Sequence, residues 1–375
     1  MKRATACAFY KPVLRIYSVN VNVAAWFSEA ERGHHMPRGR TEKDTVLKDI
    51  AEAAQVSIMT VSRALRGVEG VSESRRNHIL KIARKLNYTP NSSARSLVTM
   101  NSDLIGIAVP NLFNNVFAEI MASMRGTFDS AGYSSVVDTT EYSKDIEFAW
   151  AERMLSWRPA GMILTGIHHH PSLRGALRRA GVPTLQIWDV TDDPIDICVG
   201  IDHHAAGVEV AQFCMSLGYK RPGFVGIAEG RDTRAEARLV GFSQAYGGPD
   251  AVMVGRSEDV NPFVAGKLGT EALLDRPEGA RPDVLFYLND HLAFGGLSAC
   301  EARGLSVPRD LGIVGFNSLD LASVLPLPLT TVRTPRRTMG ALGARQLLAR
   351  IHGVGKRESI ALPVELVRGA TTRAQ

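Results

Sequence analysis

Cysteine is scarce in this 375-residue chain and widely scattered: Cys7, Cys198, Cys214 and Cys300 form no Cys-x-x-Cys pair. That spacing argues against a disulfide framework, a zinc site or a dithiol redox centre, and it fits a reducing cytoplasm. Long apolar runs are missing too. No stretch of about 18 uninterrupted apolar residues is available to cross a bilayer, and the one candidate signal region, after Met1-Lys2-Arg3, is broken by Lys11 and Arg15. The phosphate-cradling and catalytic motifs are absent as well. Gly223, Gly226 and Gly230 are spaced by three and four residues, where a dinucleotide fingerprint needs two and three. There is no Walker loop, Gly-x-Ser-x-Gly elbow or His-Glu-x-x-His helix, so neither an enzyme nor a cofactor is expected. His168, His169 and His170 are consecutive and cannot all face one ion from a strand-end loop, which favours a polar cleft wall over a metal site.

What the chain does have is the make-up of a globular protein, 45% hydrophobic and 22% charged, with room for two or three domains. Its net charge of +6 is unevenly placed: residues 1–44 carry +4, residues 45–100 carry +5, and the remainder carries −3. A basic head on a slightly acidic body is the footprint of a nucleic-acid or anionic-surface contact at one end, although a solvated face can also be basic.

Between residues 45 and 90 the apolar spacing is helical three times. Leu47, Ile50, Ala51 and Ala54 share one face of a first short helix. After Gln55-Val56, Ser57 is placed to cap a second helix in which Val61, Ala64 and Leu65 face inward and Ile58, Met59, Ser62, Arg63 and Arg66 face out. Ser72 is placed to cap a third, with Ile79, Ile82, Ala83 and Leu86 as its buried stripe. A plain three-helix bundle with solubilising arginines would show the same periodicity.

The residues themselves go further. The run LKDIAEAAQVSIMTVSRALRG, followed by VSESRR and LNYTPNSSARSL, closely resembles the DNA-binding region of the LacI/GalR family of bacterial transcription regulators. Gln55 departs from the family's usual glycine, and keeping the left-handed conformation there with glutamine would cost about 1 kcal/mol. The resemblance implies that the second helix enters the major groove of operator DNA, with Ser57, Ile58, Met59, Thr60, Ser62 and Arg63 at the interface. Ile58 and Met59 can read thymine methyl groups and shape, while Arg63 has the fork for guanine O6 and N7 or alternatively a phosphate contact. It further implies that residues 91–100, with Asn91, Ala94 and Leu97, form a hinge helix only on DNA, where Leu97 wedges into the minor groove. Residues 1–44 have no family counterpart before Met36, and are expected to be a disordered basic extension or in part a stretch upstream of the true start.

From Leu104 onward, apolar β-rich runs alternate with amphipathic helical segments in two successive sets, which predicts parallel sheets covered on both faces. Ligands of such sheets bind at the carboxyl ends of strands, so the cleft between two lobes is the expected site. The family resemblance continues here, in PNLFNNVFAEIM, ARLVGF, NDHLAFGGLSACEARGLSVPRDLGIVGFNSLDL and ELVRGATT, and some words look most like the gluconate-utilisation repressors. It implies an all-α helix-turn-helix head, residues 45–90, joined to a two-lobed α/β effector domain of the periplasmic-binding-protein type, residues 101–375. The implied effector set is Phe113, His168, Arg238, Asn289, Asp290 and Asn317. Arg238 matches an arginine that grips the effector, although an interlobe salt bridge would also account for it. At position 317 sugar-binding members commonly have an aspartate; an amide there suits an anionic ligand, or is only a turn residue. The expected protein is a cytoplasmic, homodimeric repressor that binds palindromic double-stranded operator DNA and a sugar acid of the gluconate type or its phosphate. A solute-binding protein and a sugar-processing enzyme are the rival readings.

Overall fold

The computed structural model describes residues 46–66, 69–88, 102–112 and 115–374. Asn91, Ala94, Leu97 and Phe113, and the N-terminal extension, lie outside them. The described chain divides into a small unit that ends by Pro90 and a large unit that follows it.

Among the described residues the small unit holds three helices, α1 (Leu47–Ala53), α2 (Ile58–Arg66) and α3 (Glu73–Lys85). They close around Ile50, Ala51, Ala54, Val61, Ala64, Ile79 and Ala83, so the apolar faces predicted from periodicity meet in one core. The α1–α2 turn depends on Gln55, which has a φ of 52°. The left-handed conformation that favours glycine is thus kept with a side chain in place, at a modest energetic cost. Ser57 begins α2 as expected, its Oγ accepting a hydrogen bond from the Thr60 amide at 3.1 Å. Ser72 differs: its side chain makes no cap bond to α3. Glu73 in the first turn instead places negative charge against the positive helix end.

The large unit contains two six-stranded sheets of the same strand order. The first reads β2-β1-β3-β4-β5-β11, from β1 (Leu104–Val109), β2 (Ser134–Thr139), β3 (Gly161–Thr165), β4 (Thr184–Trp188), β5 (Ile197–Gly200) and β11 (Glu358–Ala361). The second reads β7-β6-β8-β9-β10-β12, from β6 (Pro222–Ile227), β7 (Met253–Ser257), β8 (Val284–Tyr287), β9 (Gly312–Asn317), β10 (Thr330–Arg333) and β12 (Glu365–Val367). All pairings are parallel except β12 on β10. The central strands β3, β4, β8 and β9 are buried almost throughout, which is why they read as unbroken apolar runs.

Helices cover the faces: α4 (Asn115–Ser130), α5 (Lys144–Ser156) and α6 (Leu173–Ala180) in the first lobe, and α7 (His203–Ser216), α8 (Thr233–Ala245), α9 (Pro262–Leu274) and α10 (Asp290–Ala302) in the second. A short α11 (Asp320–Val324) follows β9, and α12 (Arg336–Ile351) returns to pack on α4. The chain therefore passes between lobes three times: from β5 towards β6, from β10 to α12, and from β11 to β12. In each sheet the strand order reverses beside the first strand of its set, β1 or β6, opening a crevice at the carboxyl ends of the strands. Two glycines fix α8 at that crevice. A Cβ on Gly207 of α7 would collide with the Arg238 carbonyl, and one on Gly241 with the His204 carbonyl, so the two backbones lie in direct contact.

Candidate DNA-reading surface and effector cavity

On the head, Ile58 and Met59 are 49% and 60% exposed, although they are among its most apolar residues. Apolar side chains left in water at the start of a helix, beside exposed Arg63, form a surface that can press on methyl groups while a guanidinium reads a base edge or a phosphate. Ser57 and Thr60 join hydroxyls at 2.8 Å, which sets the helix entry, and Ser62 is half-buried. The side chain of Arg66 lies outside the described set.

In the body, a cavity of about 470 Å³ opens where the strand ends of the two lobes face each other. The first lobe contributes Asn111 after β1, Phe117 of α4, Tyr142 after β2 and Trp188 at the end of β4. From the second come Arg231, Asp232, Arg234 and Arg238 around the start of α8, Asn289 after β8 and Asn317 at the end of β9. Three of these residues hold a left-handed backbone without being glycine: Tyr142 (φ 61°), Trp188 (φ 85°) and Asn317 (φ 109°). Strained strand ends that converge on one cavity mark a place where side-chain direction matters more than local stability.

Arg238 is 3% exposed. Its Nη2 donates to the Leu288 carbonyl at 3.0 Å, Nη1 lies 2.8 Å from His203 Nδ1, and the guanidinium stacks on Phe316. No carboxylate lies within 4 Å of it among the described residues, and its buried Nε has no partner. Burial pushes its pKa down to about 10. Burial also drives His203 well below the usual histidine range, with Arg238 and Arg234 adding to the effect, so its ring is neutral.

Arg234, one helical turn earlier, takes the carboxylates instead. Its Nε donates to Asp232 at 3.2 Å, and Nη1 stands 3.7 Å from Asp189, whose other oxygen is 3.5 Å from His203 Nε2. Burial raises Asp189 to about 6 against the pull of Arg234. Burial acts on Asp232 in the same direction, but Arg234 and Arg238 overcome it and hold that carboxyl at about 2. Asp232 also caps α8 through the amides of Arg234 and Ala235.

Of the residues expected in an effector site, Arg238, Asn289 and Asn317 line the same cavity. Asn289 uses its Oδ1 to cap α10 at the Leu292 amide, which leaves its NH₂ for a ligand. Asn317 Oδ1 is buried without a partner. Asp290 must be corrected: it is fully buried away from the cavity, accepting from the Leu319 amide and from Thr331 Oγ1, both at 2.6 Å. Asn289 is the extended N-cap and Asp290 the first helical residue, and only Asn289 lines the cavity. His168 lines a smaller side compartment, not the main cavity. His169 instead binds Glu147 at 2.8 Å and His170 stacks on Phe148, so the three histidines have three separate environments.

Sequence reasoning missed Tyr142, Trp188, Arg231, Asp232 and Arg234. One signal was available. In DTRAEAR, Arg234 and Arg238 are spaced i, i+4 behind an aspartate N-cap, which puts both guanidiniums on one face of a helix start.

Residues 46–91 match the model of bacterial regulatory proteins, lacI family, and residues 211–372 match that of a periplasmic binding protein-like domain. The chain is 34% identical over 313 residues to the HTH-type transcriptional regulator GntR of Escherichia coli (strain K12), covering 83% of this chain and 93% of that protein. Against GntR of Pseudomonas aeruginosa the identity is 31% over 326 residues, covering 85% and 93%. A LacI family transcriptional regulator from Silicibacter pomeroyi superposes with a TM-score of 0.79 at 33% identity, covering 88% of this chain and all of that one. The lac repressor dimer bound to operator and the anti-inducer ONPF gives a TM-score of 0.77 at 27% identity, again covering 88% and 100%.

Proposed function

The chain belongs to the lacI family of bacterial regulatory proteins, DNA-binding transcriptional repressors that answer to small molecules, and from that premise we propose that its own effector is a sugar acid of the gluconate type. The observation that carries this reading is Arg238: a buried guanidinium in the cavity wall with no carboxylate within 4 Å among the described residues, and with a buried N–H unpaired. Asp232 and Asp189 act on this buried cation only from beyond ion-pair distance, and a ligand carboxylate supplies a direct partner through a charge-assisted hydrogen bond. Asn289 and Asn317 supply amides for the hydroxyl chain of a polyol, and an amide at 317 puts no carboxylate in the way of an anion.

The exposed Ile58, Met59 and Arg63 are the DNA-reading set in this proposal, with Asn91, Ala94 and Leu97 of the hinge joining them on the operator. Two copies bind the two halves of an imperfect palindrome, so effector and operator binding are linked by a coupling free energy. A gel-shift assay on the DNA upstream of the gene, with and without gluconate, tests the reading directly. A specific complex whose midpoint moves with gluconate but not with ribose is expected. A complex that is equally strong on scrambled DNA, or indifferent to gluconate, overturns the corresponding half.

A further inference from the structure

Beside the main cavity, and sharing Tyr142, Arg231 and Arg234 with it, is a compartment of about 100 Å³. At about 10 to 15 Å³ of such space for each water, that is ample room for a tetrahedral oxyanion. Both lobes build it: Ser143, Lys144 and His168 from the first, Arg231, Thr233 and Arg234 from the second.

Two carboxylates reach this compartment, and both are engaged inside the protein. Glu147 lies 2.8 Å from His169 Nδ1, while Asp189 stands between Arg234 and His203. Gln186 Nε2 sits 3.0 Å from His169 Nε2 and donates to it, so the ring proton is on Nδ1 and points at Glu147. The cations are differently placed. Lys144 and Arg231 have no side-chain hydrogen bond or ion pair among the described residues, and the first turns of α5 and α8 begin at the compartment wall. The α8 start is already capped by the Asp232 carboxylate and the first turn of α5 holds Asp145 and Glu147, so the positive charge left over in this small space comes from Lys144 and Arg231, one from each lobe.

We propose that this compartment binds a phosphate-class dianion, which ties the two lobes together through Lys144 on one side and Arg231 and Arg234 on the other. The dianion is either the phosphate of a phosphorylated sugar acid whose carboxylate sits at Arg238, or free inorganic phosphate. The first source rests on the sugar-acid reading above, and the second does not. The same cations act on His168: burial lowers its pKa first, and Lys144, His169 and Arg234 lower it further.

Calorimetric titration of the full chain with gluconate, 6-phosphogluconate, glucose, glucose 6-phosphate and inorganic phosphate tests the proposal. Each ester is expected to bind at least tenfold tighter than its parent sugar, and Lys144→Ala or Lys144→Gln to cut that ratio to threefold or less. Both variants change an exposed side chain, and thermal melts check that they fold. Free phosphate that binds while neither ester gains over its parent assigns the compartment to the free ion. Equal affinity of ester and parent with no binding of free phosphate overturns the proposal, as does a ratio that Lys144→Ala and Lys144→Gln leave intact. The glucose pair carries no carboxylate. A preserved ratio there with no gluconate binding removes the sugar-acid reading alone, and tight gluconate binding with no gain from phosphate removes the compartment alone.

Discussion

The guanidinium carbon of Arg238 lies over the ring of Phe316, 4.2 Å from its centroid. The ring contact and the bonds to the Leu288 carbonyl and to His203 hold the fork in place before any ligand arrives. Preorganisation of this kind makes shape as important as charge. Arg238→Ala is expected to weaken gluconate binding by about 2 to 4 kcal/mol, and Arg238→Lys, which keeps the charge but loses the planar fork, by at least tenfold. Isothermal calorimetry on both variants checks this, and unchanged gluconate affinity in Arg238→Ala would falsify the carboxylate assignment.

The cavity also sets a pH dependence. Asp189, raised to about 6 by burial, ionises between pH 5 and 7, close to both arginines. An anion bound near those arginines disfavours a second negative charge, so it raises the Asp189 pKa further and takes up a proton on binding. Gluconate affinity is therefore expected to rise severalfold from pH 7.5 to pH 5.5, and Asp189→Asn to flatten the profile. Affinity that falls towards pH 5.5 contradicts the linkage.

Asp290 carries a different expectation, because it is a structural carboxyl. It joins the start of α10 to the turn after β9 and to β10, and burial pushes its pKa up to about 7. Asp290→Ala strands a buried amide and a buried hydroxyl, for a loss of about 2 to 4 kcal/mol in urea unfolding. The sign of its own titration is also fixed. With the folded pKa above the unfolded one, the folded state binds the extra proton, and this group's contribution is fully present below about pH 4 and lost as pH rises through 7. An Asp290→Ala protein with an unchanged urea midpoint and no ligand binding would restore Asp290 to the effector set.

How much of this was legible in the sequence depended on whether packing left a periodic trace. The head was readable because Ile50, Val61 and Ile79 repeat at helical spacing, and the sheets because buried parallel strands such as LIGIAV and GMILT are continuously apolar. Helix α12 was not: its buried face includes Arg336, which bonds, Gly340, which lets α4 approach closely, and Gly343, which makes room for Leu185 of β4, none of them hydrophobic. Strands β11 and β12 are four and three residues long and half-exposed, too short for alternation to show. In the site, Arg238 and Asn317 were found through resemblance. Tyr142 and Trp188 were not, because what places them is a positive φ at a strand end, which no spacing rule records.

The DNA-reading surface yields the last prediction. Ile58 and Met59 offer no hydrogen-bonding groups, so base discrimination by donor and acceptor pattern falls to Arg63. In an imperfect palindrome with a central CG step, Arg63→Ala is expected to cost about 1 to 3 kcal/mol on the specific site and little on scrambled DNA, which narrows the ratio between the two. If Leu97 is the minor-groove wedge proposed for the hinge, Leu97→Ser is expected to lower affinity and bending while keeping the half-site preference. Binding of the unmutated protein should weaken steeply with salt, since phosphate contacts by the basic head release counterions. Fluorescence anisotropy on specific and scrambled duplexes at several salt concentrations separates these effects. An Arg63→Ala protein that loses affinity equally on both duplexes, with a shallower salt slope, would make Arg63 a phosphate contact and leave Ile58 and Met59 as the readers.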